Sequence, residues 1–312
     1  MAWPPFLTAI TLTLFTGCFT RRKNHFVCRR FESVITQLLN YKNLMTKSQN
    51  SSPTNGRARR VRFMQKLVWY LAKYWFPLFL AVPVFFLVLG VLAPALLAEG
   101  DVGTAAAVYR FLAIDNHQMP DRSYFLFGQA NGILTYPPET LIAAGADPQN
   151  WEAFTGNEAL GYKTGLNHRM IAVFLGMVVG GLAWGLSKGR LGIGFIIFVL
   201  LTLPILADGF SHIISETEGT GARTTNEWAV VITGGAFPEQ FYQGDTAGSL
   251  NWQLRTITGF LFGLGIVLFL FARFDNYFRQ VRRRLGPRLF PDKARGGGGE
   301  GVGEWWGDGG VG

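Results

Sequence analysis

The sequence predicts an all-α integral membrane protein with four transmembrane helices, at about 76–98, 169–187, 191–208 and 255–273, both termini inside, and a small helical extracytoplasmic lid. Three observations carry that reading. Hydrophobic residues make up 49% of the 312, with 27 Phe, and only 16% are charged, a balance foreign to soluble domains of this length. The apolar residues are blocked into uncharged runs, 22 residues at 76–97 and 17 each at 170–186, 191–207 and 256–272. Lys and Arg collect at alternate ends of those runs.

Crossing about 30 Å of hydrocarbon takes roughly 20 residues, with about 17 the lower end, so all four runs qualify. Their hydrophobicity is continuous rather than confined to one stripe, which separates them from surface helices of a soluble protein. Pro77, Pro83 and Pro94 each remove a backbone donor from the first span, so a bent helix is expected there.

Arg57, Arg59, Arg60, Arg62, Lys66 and Lys73 precede the first span, Lys188 and Arg190 fill the turn between the second and third, and eight basic residues lie within 273–295. The loop 98–169 instead has four basic and eight acidic residues, and the loop 208–255 two and six. The positive-inside rule then predicts N-in and C-in, with both long loops outside. The net charge of +9 sits on the flanks of the spans, where an anionic leaflet accounts for it. A nucleic-acid partner would want those cations interleaved with aromatics on one soluble face. The partner the sequence implies is the lipid bilayer of the plasma membrane, crossed several times. No cofactor and no oligomeric state follow from it.

Residues 1–63 read as an N-terminal extension, disordered or upstream of a start near Met64, with a fifth, short or re-entrant membrane segment as the alternative. The apolar stretch 6–19 is short for a span, lacks a basic region before it, and makes a poor signal peptide. Phe15-Thr16-Gly17-Cys18 resembles a lipoprotein cleavage box, but cleavage there would put the basic stretch 57–62 outside. Residues 64–275 form the membrane domain, and 276–312 a basic, then Gly-rich, disordered cytoplasmic tail.

A first loop of about 70 residues is too long for a plain connector and should carry structure. Residues 104–113 are helix-prone, and Asp147-Pro148 reads as an N-cap and first helical position. The candidate site lies in these loops and at the span ends: His117, Gln118, Arg122, Ser123, Lys163, Arg169, Asp208 and Arg255. Ionisable groups at a membrane edge pair with one another or serve a site.

Several readings follow. Arg122, Lys163, Arg169 and Arg255 suit a phosphate or carboxylate, which points to binding, processing or transport of an anionic lipid or lipid-linked ligand. The same groups could only latch the lid to the helices, a structural role, with Asp208 pairing Arg255 or Arg122. Asp208 and His212 at i, i+4 share a helix face and with His117 would offer metal ligands, though no HExxH or CxxC spacing supports that. His117 or His168 as base with Ser123 as nucleophile lacks a Gly-x-Ser-x-Gly elbow. Gly176, Gly180 and Gly181, with Gly259, Gly263 and Gly265, give small-residue spacing for close helix packing within the bundle or between copies.

The blocks His117-Gln118-x-Pro120-x-Arg122-Ser123-Tyr124-Phe125-Leu126-Phe127-Gly128, Gly161-Tyr162-Lys163-Thr164 with Arg169 and Ala172, Pro204-Ile205-x-x-Asp208-Gly209-Phe210-Ser211, and Leu254-Arg255-Thr256-x-Thr258-Gly259 with Gly263 resemble, in order, the uncharacterised prokaryotic membrane proteins grouped as domain of unknown function 2085. The resemblance covers roughly residues 75–275 and implies no established activity. It implies that two family cysteines stand replaced by Asn116 and Asn167, and that in relatives those thiols pair as a disulfide or a shared metal site. Asn keeps a hydrogen bond but supplies no thiolate, which argues against thiol chemistry. His212 stands where relatives tend to carry Gln.

Overall fold

A computed structural model describes residues 21–22, 25–26, 55–114, 116–217, 219 and 221–290. The readings of the stretch 6–19, of the lipoprotein-like box and of the Gly-rich tail lie outside those residues. A short antiparallel ribbon pairs β1 (Arg21–Arg22) with β2 (His25–Phe26). The long helices are α1 (Asn55–Ala98), α4 (His168–Leu186), α5 (Phe195–Thr217) and α9 (Leu250–Leu289). All four are long and apolar enough to cross a membrane. The chain is therefore a predominantly α-helical, multi-pass protein of the plasma membrane.

Each span differs from its expected limits for a local reason. α1 starts 21 residues before position 76 and breaks at Tyr74 (φ −107°, ψ 18°). Pro77 causes that break, because its ring clashes with the carbonyl four residues back, at Lys73. α5 starts at Phe195 rather than 191, since Gly192 and Gly194 favour coil before it, and it runs nine residues beyond Asp208. The sequence ended that span at its first charge, but Asp208 and His212 are both buried within the helix. α9 extends past 273 because Phe278, Val281 and Leu285 keep an apolar stripe going through the basic residues.

The chain forms two compact units, Phe76–Phe274 and the segments flanking it. In the flanking unit, Trp69 and Ala72 of α1 bury themselves against Val281 and Leu285 of α9, and Arg282 Nη1 donates to the Ala72 carbonyl at 2.7 Å. In the larger unit the glycines set the helix spacing. A Cβ on Gly263 would overlap the Val173 carbonyl oxygen, and one on Gly176 the Phe260 carbonyl oxygen. α4 and α9 thus approach backbone to backbone, and these glycines serve packing inside the bundle.

The expected cover of short helices is wrong in part, because the first loop also contains a sheet. α2 (Val102–Leu112) leads to a 3-10 turn at Pro120–Arg122, then β3 (Ser123–Leu126), α3 (Pro138–Ala143), a 3-10 stretch Pro148–Ala153, β4 (Gly156–Asn157) and β5 (Gly161–Asn167). The strand order is β3-β5-β4, both pairings antiparallel. Alternating burial along β3 puts Ser123 and Phe125 inward, and Phe125 packs with Leu141 and Ala146 in a small core. Asp147 accepts from Gln149 N as an N-cap, but for a 3-10 rather than an α-helix. The second loop carries α6 (Ala222–Thr225), α7 (Glu227–Thr233) and α8 (Glu239–Tyr242).

Candidate functional site

Four of the eight candidate residues converge. Asp208, on the buried face of α5, takes Arg169 Nη2 on one carboxylate oxygen at 2.5 Å and Arg223 Nη2 on the other at 2.7 Å. Arg255, near the start of α9, pairs with Asp245 at 2.6 Å, and Asp245 also accepts from Arg122 Nε at 3.1 Å. Arg122 completes its fork on Glu216 at 2.6 Å, with Asp121 3.6 Å away. Four guanidinium groups thus meet four carboxylates, and the charges balance. Burial alone would raise the Asp245 carboxyl, but Arg255 and Arg122 beside it hold it well below the usual carboxylate range.

His212 sits inside this network, its Nε2 3.1 Å from Arg223 and 3.3 Å from Arg255. It lies 3.8 Å from Asp208 as the i, i+4 spacing required, but both Asp208 oxygens already face guanidinium groups. His117 belongs elsewhere, exposed and facing Glu152 at 3.1 Å. Among the described residues no group of three or more His, Cys, Asp or Glu is placed to hold a metal ion.

The second loop is pinned where it meets the helices. Ser215 Oγ accepts from Arg223 N at 2.9 Å, and Asn251 Nδ2 donates to the Arg223 and Gly244 carbonyls at 2.6 and 3.0 Å. Asn226, in the left-handed region at φ 49°, donates to the Tyr242 carbonyl at 2.6 Å. Asn tolerates that backbone better than most residues, and its short amide reaches the neighbouring carbonyls.

Gln118 and Lys163 form a separate knot with α2. Gln118 Nε2 donates to the carbonyls of Tyr109 (2.9 Å) and Gly165 (3.1 Å), and Tyr109 OH to the Lys163 carbonyl (2.5 Å). Lys163 Nζ, fully buried, donates to the carbonyls of Gln118 (2.7 Å) and Glu152 (2.6 Å). Burial pulls its amine down to about 8, against the opposing pull of Glu152 and Asp121. Losing that proton leaves two N–H donors, as many as the carbonyls facing it. Ser123 is buried too, its hydroxyl spent on the Met119 carbonyl at 2.8 Å. His168 packs on the Tyr124 ring, centroids 4.3 Å apart.

Sequence reasoning missed Arg223, Asp245 and Glu216. Arg223 carried a usable signal, as the one basic residue inside an acidic loop before Arg255. Asp245, between Gly244 and Thr246, has the composition of a turn and carries no further signal in the sequence.

No protein-family model matches the chain, and no curated protein or solved structure matches it either. The resemblance to domain of unknown function 2085 is therefore withdrawn, and with it the idea of two lost cysteines. The chain has two, Cys18 and Cys28, outside the described residues. Asn116 and Asn167 have work of their own as asparagines. Asn167 caps α4, its Oδ1 accepting from Met170 N at 2.9 Å, and Asn116 Nδ2 donates to the Gly165 carbonyl at 3.0 Å. What the fold defines is a class, the multi-pass membrane protein with a buried ionic network at its helix ends.

Proposed function

We propose that this network is a structural latch, holding the two long loops onto the ends of α4, α5 and α9 so that the membrane domain assembles in one arrangement. The observation that carries the reading is the charge balance: each of Arg122, Arg169, Arg223 and Arg255 already has a carboxylate partner. An anionic lipid or lipid-linked ligand would have to displace those carboxylates, and a buried guanidinium gains little by exchanging one anion for another. Metal binding would likewise have to strip the arginines from Asp208. An open cleft lined by Thr225, Glu227, Val230, Phe237 and Tyr242 borders none of the four arginines.

The proposed orientation is N-in and C-in, with both long loops on the extracytoplasmic side. Segments 59–75 and 275–290 together hold ten Lys or Arg and one Asp, which supports their cytoplasmic placement.

The test uses the full chain purified in detergent, wild type and Arg122→Ala, with thermal unfolding and native mass spectrometry after addition of phosphatidylglycerol. A latch predicts a lower Tm for the variant and the same phospholipid adducts as wild type. An unchanged Tm with loss of the adduct would overturn it in favour of ligand binding.

A further inference from the structure

The first loop begins with a helix whose depth can be worked out from its neighbours. Gly185, near the end of α4, lies on the Phe76 ring, so the turn holding Lys188 and Arg190 is level with Phe76 itself. That turn marks one edge of the hydrocarbon. From Phe76, α1 rises about 1.5 Å per residue, which puts Phe85 and Phe86 roughly 15 Å further in, near the middle of a core about 30 Å thick.

Phe111 of α2 is at that same depth. Its ring stacks on Phe86 at 6.1 Å and meets Phe85 edge-on at 6.5 Å, while Phe86 also stacks on Phe174 of α4 at 5.1 Å. α2 therefore runs back down α1 after the tight turn at Glu99–Asp101, with Ala105 and Tyr109 packed on Ala93.

The composition of α2 agrees. Ala105, Tyr109 and Leu112 are buried, and the opposite face is apolar as well: Val102, Ala106, Ala107 and Phe111 are exposed, with Ile114 following at 64%. A helix in water would put polar residues there. Its one charged side chain, Arg110, turns back along the helix, Nε donating to the Ala106 carbonyl at 3.3 Å. That direction leads toward the start of α2 and the near surface, as a snorkelling cation requires.

We infer that α2 is a re-entrant helix, forming with the end of α1 a hairpin whose outward face, from Ala106 to Ile114, contacts lipid acyl chains. Part of the loop expected as an aqueous cover is then embedded in the bilayer. The apolar face is continuous with the lipid-facing residues Val82, Phe85 and Val88 of α1, all exposed.

The experiment places single nitroxide labels at Phe111→Cys, Ala107→Cys and Gly103→Cys in the full chain with Cys18→Ser and Cys28→Ser, reconstituted in phosphatidylcholine nanodiscs. Collision rates with oxygen and with a water-soluble nickel chelate report depth, and Phe85→Cys serves as the hydrocarbon reference. The inference expects oxygen to dominate at 111 as strongly as at 85, less so at 107, and the chelate to dominate at 103. Chelate dominance at both 107 and 111 would overturn it. Ala107 is small and exposed, so that label reports even if Phe111→Cys fails to fold.

Discussion

Arg223 reaches back from α6 to Asp208 inside α5, Nη2 to Oδ1 at 2.7 Å, and so ties the second loop to a helix that ended six residues earlier. The same carboxylate holds Arg169 of α4. One acid thus joins two membrane helices and a loop.

Asp208→Ala should destabilise more than Arg223→Ala. Breaking a buried pair costs about 3–5 kcal/mol because the remaining charge is stranded, and losing Asp208 strands two guanidinium groups where losing Arg223 strands none. Thermal unfolding of both single variants and the double variant in detergent checks the order. Equal losses would mean that Asp208 does not anchor both arginines.

Gly263→Ala should lower stability by about 1–3 kcal/mol, the cost of overfilling a packed core. A methyl group there meets the Val173 carbonyl oxygen, which is backbone and cannot rotate away. Gly194→Ala, with open space around its position, is the control and should leave the Tm within error.

Lys163 should give a stability rise in alkali, opposite to what a surface lysine in a salt bridge would do. Its folded value of about 8 lies below the ordinary lysine value near 10.4, so the unfolded chain binds the extra proton between them. The cost of burying the charged amine is fully present below about pH 8 and is relieved as pH rises from there toward about 10. Tm measured from pH 7 to 9.5 should climb for wild type, and Lys163→Met should remove that climb.

The four spans were legible because hydrocarbon tests only local composition, and a run of uncharged residues reports itself wherever the chain goes. Their ends were harder to read. Asp208 looked like a terminus because a bare charge cannot stay in an apolar helix, and only Arg169 and Arg223, distant in sequence, let α5 continue through it. The sheet in the first loop was illegible for a similar reason. Gly161–Asn167 has no alternating pattern, since five of the seven residues of β5 are buried by α2, α4, β3 and β4 around it.

The sequence alone determined the class of protein and the number of spans, because both depend on segment composition. Tertiary structure decided which cation meets which anion, bringing in Arg223, Asp245 and Glu216 and sending His117 to the surface. Ion pairing acts over a few ångströms between groups up to 123 residues apart. No local pattern in the chain encodes it.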